Sequence, residues 1–323
     1  MLSLSAGDLG RLLDRTSLIE AIAAMFRRGC EAPVRHHHNV AVPGGQDATH
    51  LLMPAWILGR YLGTKVVNVF PDNGTVGRPA VQSIYLLFSG RTGELLATLD
   101  GGELTTRRTV AASSLAARHL ARPDASRLLI VGTGQLARHL AQSHSAVRPI
   151  RAVSVWGRDP VKAAELARGL VVEGFDAQPV LDLADAVPDA DIVSCATLAA
   201  EPLIRGAWLR PGTHLDLIGG FTPRMREADD EAVRRASVFI DTEGARAEAG
   251  DIVGPLCSGV LGASGILSDL PGLCRGDHPG RRSPDEITLF KSTGAAAEDL
   301  AAAILAYERA VPAASISEAP VAV

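Results

Sequence analysis

Short apolar runs and helical patterns alternate through the middle and C-terminal part of the chain. Residues 128–131 and 152–156 are apolar runs of strand length, and one helix length separates them. Further strand-like runs follow near 178–181, 191–195, 214–218, 237–241 and 286–291. This rhythm predicts an α/β fold with a doubly wound parallel sheet. Residues 251–285 are rich in Gly and Pro, and they predict irregular structure.

The N-terminal part of the chain predicts a different arrangement. Residues 1–30 carry apolar positions at helical spacing, whereas residues 33–99 read mostly as strands. The strand-like segments lie near 39–42, 50–54, 63–70, 81–88 and 94–100. An Ala-rich helical pattern covers 104–120, and a last one runs to about residue 310. These patterns predict an α+β region that precedes the parallel sheet.

A glycine turn follows the first strand of the parallel sheet. Gly132 permits the tight turn, and Gly134 lets the backbone approach a pyrophosphate. Ala137, the third small residue, lets the following helix pack closely on the strand, and free N–H groups at that helix start attract phosphate. This strand, turn and helix predict a Rossmann dinucleotide site. The predicted turn residues are Gly132, Thr133, Gly134, Gln135, Leu136 and Ala137.

The end of the next strand indicates which nicotinamide cofactor is bound. Arg158 stands where an acidic residue of NAD-binding units accepts the ribose 2′-hydroxyl, and a guanidinium suits a 2′-phosphate. We therefore predict NADPH. Asp159 keeps NADH open, because its carboxylate serves the hydroxyl if the turn is one residue longer.

Composition and charge exclude several classes of function. The 323 residues are 47% hydrophobic and 21% charged with a net charge of −4, which predicts a globular protein without a nucleic-acid surface. The four cysteines form no zinc or redox spacing, and no run of residues approaches the length of a membrane span. We expect a cytoplasmic protein with no nucleic-acid or membrane partner.

Three cations before the glycine turn invite a functional interpretation. Arg35, Lys65 and Arg108, from three predicted elements, form a candidate carboxylate clamp, because guanidinium and ammonium groups bind carboxylates strongly. Free N–H groups are expected beside Arg108, near the predicted helix start. From spacing alone, three exposed surface cations are the favoured alternative.

Other polar residues offer weaker candidates. Glu248 and Asp251 follow the last strand of the predicted Rossmann sheet, and one carboxylate there would manage a proton; a helix-terminal or solvated role is the equal alternative. We predict no metal site in the run 36–38, three consecutive histidines, because neighbours on a strand point to opposite faces and no further ligand follows at ligand spacing.

Motifs across nearly the whole chain resemble the ornithine cyclodeaminase/mu-crystallin family. These motifs are 33–35 (PVR), 53–54 (MP), 63–67 (GTKVV), 104–109 (LTTRRT), the glycine turn, and 290–294 (FKSTG). The resemblance implies that Arg35, Lys65 and Arg108 hold a substrate carboxylate beside the nicotinamide. It also implies a homodimer, a substrate-binding and dimerisation domain at 1–122 and 296–323, and a Rossmann NAD(P)-binding domain at 123–295. Thr197 and Lys291 complete the predicted cofactor-binding set.

One position separates activities within that family. Its cyclodeaminases and alanine dehydrogenases carry a proton-handling Asp after a Gly pair, whereas here Phe221 follows Gly219 and Gly220. The pattern at 221–227 (FTPRMRE) resembles the branch that reduces cyclic ketimines. We therefore predict NAD(P)H-dependent reduction of a small cyclic imino acid, Δ1-pyrroline-2-carboxylate to L-proline or Δ1-piperideine-2-carboxylate to L-pipecolate.

The proton donor and the competing activities stay open at this point. Glu248 resembles a glutamate near the ligand of mu-crystallin-type members, and we name it with Lys65 as catalytic; water or a protonated substrate is the alternative. An ornithine or lysine cyclodeaminase, an amino-acid dehydrogenase and a non-catalytic NADPH- and ligand-binding protein are the competing functions.

Overall fold

The computed structural model describes residues 1–312, which divide into two compact units. Unit 1 contains Met1–Arg108 and the described part of Ala295–Val323, and unit 2 is Thr109–Gly294. The boundary between Arg108 and Thr109 therefore lies inside a helix. The division predicted at 122/123 and 295/296, with its assigned roles, stays a prediction, and residues 313–323 of its last segment lie outside the described residues.

The elements are numbered along the chain. The strands are β1 Leu2–Leu4, β2 His36–Val40, β3 Ala48–Ile57, β4 Tyr61–Val69, β5 Val81–Ser89, β6 Leu95–Asp100, β7 Arg127–Val131, β8 Ala152–Trp156, β9 Asp176–Pro179, β10 Ile192–Cys195, β11 His214–Leu217, β12 Ser237–Ile240, β13 Ile266–Asp269 and β14 Thr288–Lys291. The helices are α1 Ala6–Leu12, α2 Arg15–Arg28, α3 Gly101–Leu120, α4 Ala137–Ser145, α5 Pro160–Val172, α6 Leu183–Ala186, α7 Asp230–Arg235, α8 Ala245–Glu248, α9 Gly250–Ser258, α10 Leu270–Arg275 and α11 Ala296–Ala310. Short 3₁₀ helices lie at Pro71–Val76, Val187–Asp189 and Gly206–Trp208.

Unit 1 is built on a mixed sheet of order β1-β6-β5-β4-β3-β2. β1 runs parallel to β6, and the other neighbours are antiparallel. Along β4, Tyr61, Gly63, Lys65 and Val67 are buried and alternate with half-buried positions, as expected for a strand with one covered face. Helix α11 packs against β3, β4 and β5. Lys65 therefore lies on the buried face of this sheet.

Unit 2 is a parallel sheet of order β13-β12-β14-β11-β10-β7-β8-β9. Strand order reverses between β7 and β10, and open α/β sheets bind ligands at the carboxyl ends of strands around such a switch point. β7 and β10 are buried on both faces from Leu128 and Ile192 onward, which explains their continuous apolar runs. The glycine turn follows β7 and therefore stands at the switch point.

The irregular structure predicted for residues 251–285 is wrong, because α9, β13 and α10 lie there. α9 accommodates Pro255 inside its length, and Pro271 falls in the first turn of α10, where the missing N–H costs nothing. Asp269 caps α10 by accepting a hydrogen bond from the Gly272 N–H at 2.7 Å. Elements this short have too few residues to display a hydrophobic period.

Two further differences concern the ends of elements in unit 1. Leu2–Leu4, predicted as helical, forms β1, because Leu2 pairs with Ala97 of β6, a partner that local pattern does not reveal. α3 begins at Gly101 rather than at residue 104, so Arg108 lies beyond the first four residues of the helix, whose N–H groups are the free ones. The prediction that free N–H groups lie beside Arg108 is therefore wrong.

No helix within residues 1–312 combines the length and the apolar character required to cross a bilayer.

Candidate active site

The three cations of the predicted carboxylate clamp, Arg35, Lys65 and Arg108, lie within unit 1, and Lys65 on β4 is the most enclosed of them. The ammonium group of Lys65 is enclosed, with 3% of the side chain exposed. It donates to Asp299 Oδ1 at 3.0 Å and to Thr105 Oγ1 at 3.3 Å, and it lies 2.8 Å from Asp299 Oδ2. Desolvation lowers the pKa of Lys65 to about 8. Asp299 opposes this shift, whereas the positive charges of Arg108 and Arg35 add to it. Lys65 therefore loses its charge only slightly above neutral pH.

Arg108 joins Lys65 through the same carboxylate. Its Nε donates to Asp299 Oδ1 and its Nη1 to Glu298 Oε2, both at 2.9 Å. Desolvation alone lowers the pKa of Arg108, but Asp299 and Glu298 together raise it above its usual value. Among residues 1–312 the bonds of Arg108 engage Nε and Nη1 and leave Nη2 for a further acceptor. The guanidinium is thus fixed in orientation and keeps donors for a ligand.

Arg35 completes the predicted clamp at the entrance to β2. It is half-buried in the loop that precedes β2, and its charge contributes to the lowered pKa of Lys65. The structure therefore brings Lys65 and Arg108 together on Asp299, and the charge of Arg35 contributes to the lowered pKa of Lys65. The alternative of three exposed surface cations is wrong, since Lys65 and Arg108 are buried.

Glu298 and Asp299 of α11 are the clamp residues that the sequence interpretation missed. Both are fully buried, and Arg108 and Lys65 lower the pKa of Asp299 although desolvation alone raises it. A signal was present, because two adjacent acids interrupt the otherwise Ala-rich run 295–303. Acids inside a buried helix face require cations as partners, which pointed to the clamp.

The glycine turn has the geometry that a pyrophosphate requires. Gly132 has φ +121°, and an added Cβ would lie 2.7 Å from the Ala196 oxygen, so only glycine fits. A Cβ on Gly134 would meet no atom within 4 Å, which leaves space for a phosphate beside the backbone. Thr133 packs on Gly157, whose Cβ would lie 2.6 Å from Thr133 Cγ2. Gln135 and Leu136 form the turn into α4, and buried Ala137 is its first residue.

The residues after β8 have distinct environments. Arg158 is exposed directly after the strand. Asp159 instead caps α5, because its Oδ1 accepts from the N–H groups of Val161 at 3.0 Å and Lys162 at 3.3 Å. One oxygen of Asp159 is therefore engaged by the helix that it starts, whereas the guanidinium of Arg158 faces solvent.

Thr197 and Lys291 belong to a buried ion cluster in unit 2. Lys291 Nζ lies 2.9 Å from Asp251 Oδ2 and 3.4 Å from Glu227 Oε2, and all three side chains are fully buried. Thr197 donates to Glu227 Oε1 from its backbone N–H at 2.8 Å and from its hydroxyl at 2.9 Å. We call Glu227, Asp251 and Lys291 the loop anchor. Sequence interpretation did not assign Glu227, whose role depends on partners distant in the chain.

Electrostatics within the loop anchor favour a charged lysine. Desolvation alone lowers the pKa of Lys291, but Asp251 and Glu227 raise it above its usual value. Desolvation raises the pKa of Glu227, against the lowering effect of Lys291. Asp251 accepts the N–H groups of Glu227 at 2.8 Å and Ala228 at 3.1 Å, so the solvated role considered for Asp251 is wrong.

Glu248 and Phe221 also lie in unit 2. Glu248 is half-buried and ends α8, and its position leaves the proton-donor assignment a prediction. Phe221 follows Gly219 and Gly220 after β11, with 39% of its surface exposed. Within residues 1–312 no three His, Cys, Asp or Glu side chains are placed to hold a metal ion.

Comparison with known sequences gives a match over most of the chain. The profile of the ornithine cyclodeaminase/mu-crystallin family matches residues 3–313. The Delta(1)-pyrroline-2-carboxylate reductase of Paracoccus denitrificans is 42% identical over 299 residues, which cover 92% of this chain and 93% of the relative.

Comparison with solved structures agrees with the fold. The Thermococcus litoralis Delta(1)-pyrroline-2-carboxylate reductase, solved with NADH and L-proline, has a TM-score of 0.90 and 34% identity, and the match covers 96% of this chain and 97% of that one. An archaeal alanine dehydrogenase dimer with bound NAD has a TM-score of 0.86 and 27% identity, with 96% of each chain covered. The predicted α/β fold, with a Rossmann sheet and a second domain, is confirmed.

Proposed function

This chain belongs to the ornithine cyclodeaminase/mu-crystallin family, as its motifs predict, and we propose that it reduces a small cyclic ketimine carboxylate with NADPH. The substrate that we propose is Δ1-pyrroline-2-carboxylate, with L-proline as product. Δ1-Piperideine-2-carboxylate, reduced to L-pipecolate, is the larger-ring candidate. The reaction class, reduction of a C=N bond with a nicotinamide cofactor, rests on reductase relatives that are 42% and 34% identical.

The observation that carries the proposal is the free donor edge of Arg108. A carboxylate needs fixed donors, and Nη2 of Arg108 has no partner within residues 1–312 while Nε and Nη1 are held by Asp299 and Glu298. A charge-assisted hydrogen bond contributes about 1.5–3 kcal/mol. Arg35 and Lys65 add positive charge to the same environment. The clamp therefore suits a substrate that carries a carboxylate.

Orientation supplies much of the rate enhancement in the mechanism that we propose. The clamp would hold the carboxylate, and a reduced nicotinamide cofactor bound at the glycine turn would supply the hydride for the adjacent C=N carbon. Such positioning contributes up to about 7–11 kcal/mol in well-aligned systems. The imine nitrogen also needs a proton. We propose Lys65 or Glu248 as the donor, and Lys65 is suited to it because its pKa lies at about 8.

NADPH is the cofactor that we propose over NADH. Arg158 presents an exposed guanidinium after β8, where a 2′-phosphate is bound in NADP-dependent Rossmann units. Asp159, which kept NADH open, uses an oxygen to cap α5. These two environments favour phosphate over hydroxyl recognition.

The competing functions make different predictions at Phe221. A phenyl ring transfers no proton, so Phe221 disfavours a cyclodeaminase or an alanine dehydrogenase that depends on an Asp there. An amino-acid dehydrogenase with another proton carrier, and a protein that binds NADPH and a ligand without turnover, stay as alternatives. We also propose a homodimer, supported by the archaeal relative described as a dimer; light scattering of the purified protein tests it.

The test is NADPH consumption by the purified protein with Δ1-pyrroline-2-carboxylate, with product analysis on a chiral column. We expect rapid NADPH oxidation and L-proline. Ornithine with NAD and ammonia detection runs in parallel. Ammonia release would show a cyclodeaminase despite Phe221. NADPH binding without turnover of either substrate, or of the six-membered imine, would favour the binding protein.

A further inference from the structure

Glu227 is a buried carboxylate that the proposed reaction does not use. It is fully buried, yet it accepts five hydrogen bonds, one from Lys291 and four from two neighbouring segments. Oε1 accepts from the N–H and hydroxyl of Thr197 at 2.8 and 2.9 Å, and Oε2 accepts from the N–H groups of Gly219 at 3.0 Å and Gly220 at 3.1 Å. Both oxygens therefore face donors from two segments of backbone.

These two segments follow β10 and β11 at the carboxyl edge of the parallel sheet, and they touch each other. A Cβ on Gly219 would lie 2.1 Å from the N and O of Thr197, so the segments meet at backbone distance. Thr197 also reaches the glycine turn, because a Cβ on Gly132 would lie 3.3 Å from Thr197 Cγ2. Glu227 thus connects the segments after β10 and β11, and Thr197 brings the first of them against the glycine turn.

The rest of the loop anchor holds Glu227 in place. Asp251 accepts the Glu227 backbone N–H at 2.8 Å, and Lys291 Nζ lies 3.4 Å from Glu227 Oε2. Lys291 has no exposed surface, and its ammonium group lies between two carboxylates. Its charge is directed toward Glu227 and Asp251 rather than toward solvent. The ion pairs with Glu227 and Asp251 therefore offer an explanation for the presence of Lys291 that differs from the predicted direct contact with the cofactor.

We propose that Glu227 is a positioning residue of the nicotinamide-cofactor site, and that Lys291 acts on the cofactor only through Glu227 and Asp251. The inference rests on the proposed binding of NADPH. Glu227 holds the segments after β10 and β11 against the glycine turn, in the half of a doubly wound sheet that binds the second mononucleotide. A shift of about 1 Å in such a support weakens function by up to about 100-fold.

The chemistry of Glu227 makes Glu227→Gln an informative change. A glutamine has one acceptor oxygen and one NH₂ donor, so one orientation points the NH₂ group at the N–H groups of Gly219 and Gly220 and the other points it at the N–H of Thr197, whose hydroxyl alone can turn to accept. One of the two segments must move. Glu227→Asp keeps both acceptor oxygens and the charge beside Lys291, but it is one methylene shorter. It therefore restores part of the support.

Asp191 provides a matched control in the same unit. It accepts the N–H groups of Ser126 at 2.9 Å and Arg127 at 3.0 Å and pairs with Arg122, at the amino ends of β7 and β10. Asp191→Asn thus disrupts a similar hydrogen-bond network at the amino ends of the strands, opposite the carboxyl ends where Glu227 lies. Its effect on melting temperature measures the contribution of general destabilisation.

The experiment measures the Kd of NADPH by fluorescence titration, without imine substrate, at a temperature below the melting point of every variant. We expect Glu227→Gln to weaken NADPH at least about ten-fold, Glu227→Asp to weaken it less, and Asp191→Asn to change it less than two-fold at a comparable loss of melting temperature. An unchanged Kd in folded Glu227→Gln overturns the proposal, as does equal weakening by Asp191→Asn. If Glu227→Gln does not fold, Glu227→Asp against Asp191→Asn decides. Failure of imine reduction leaves this titration interpretable.

Discussion

The clamp and the loop anchor are buried ion clusters that use the same residue types for opposite purposes. In the clamp, Asp299 and Glu298 orient Arg108, whose Nη2 keeps donors without a partner in residues 1–312. In the loop anchor, Lys291 lies between Glu227 and Asp251, and the carboxylate oxygens of Glu227 face backbone N–H groups. The polar atoms left over therefore distinguish the cluster that we propose receives a ligand from the one that holds backbone N–H groups.

The two lysines also differ in the direction of their pKa shift. Lys65 has a lowered pKa because desolvation and two neighbouring arginines outweigh Asp299, whereas Lys291 has a raised pKa because two carboxylates outweigh desolvation. A lysine beside arginines has an excess of positive charge around it, which favours binding of a further anion. A lysine between carboxylates already has its anions, and its charge stabilises the fold.

Removal of the lysine from each cluster is expected to give the largest difference between the two clusters, measured as the loss of unfolding free energy. Lys291→Met leaves Glu227 and Asp251 buried without the cation between them, and breaking such a pair costs about 3–5 kcal/mol. Lys65→Met leaves Asp299 bonded to Arg108, so we expect a clearly smaller loss of unfolding free energy. Urea denaturation at pH 7 measures both. Equal losses would show that the two lysines have the same structural role.

Loss of the Arg108 guanidinium is expected to act on substrate and not on cofactor. Arg108→Met removes the fixed donors, and about 3 kcal/mol of lost carboxylate binding corresponds to a KM increase of roughly 100-fold for the imine carboxylate. Arg107→Met is the matched control, because Arg107 is adjacent on α3 and bonds Glu103 at 2.6 Å instead. We expect both to keep the NADPH Kd within two-fold. Similar KM values for the two variants would exclude Arg108 from the clamp.

The pH dependence of carboxylate binding is expected to separate the clamp from the loop anchor. Lys65 is charged below its pKa of about 8. The affinity for a carboxylate is therefore at its maximum below that pH and falls as the pH rises above it. The loss approaches ten-fold per pH unit. Titration of cyclopentanecarboxylate between pH 6 and 10 avoids the titration of an imine. Lys65→Arg should flatten the profile, and a flat profile in the unaltered protein would contradict the role of Lys65.

The smallest expected effect concerns neither cluster. Arg158→Ala should lower the ratio of kcat/KM for NADPH over NADH by about ten-fold, because one charge-assisted phosphate contact contributes about 1.5–3 kcal/mol. Arg168→Ala, an exposed change farther along α5, is the control. A ratio that changes equally in both variants would remove Arg158 from the cofactor site.

The sequence determined the features that depend on neighbours along the chain. The apolar run of β7 and the turn at Gly132 are local, so together they predict the Rossmann unit and its phosphate turn. The motifs around Arg35, Lys65 and Arg108 likewise identified the family, because side-chain identities at fixed spacing carry that information. Elements stabilised by distant partners, such as β1 against β6, were beyond local pattern.

Tertiary structure alone decided how the buried charges are matched. Asp299 lies 234 positions from Lys65 and 191 from Arg108 along the chain, and Glu227 lies 64 positions from Lys291. A buried charge requires a compensating partner close to it in space. The free energy of such an ion pair depends on the distance between the charges and on their desolvation, and not on their separation along the sequence. The sequence by itself therefore named the cations of the candidate site. Only the fold revealed which carboxylates orient Lys65 and Arg108 and which ones enclose Lys291.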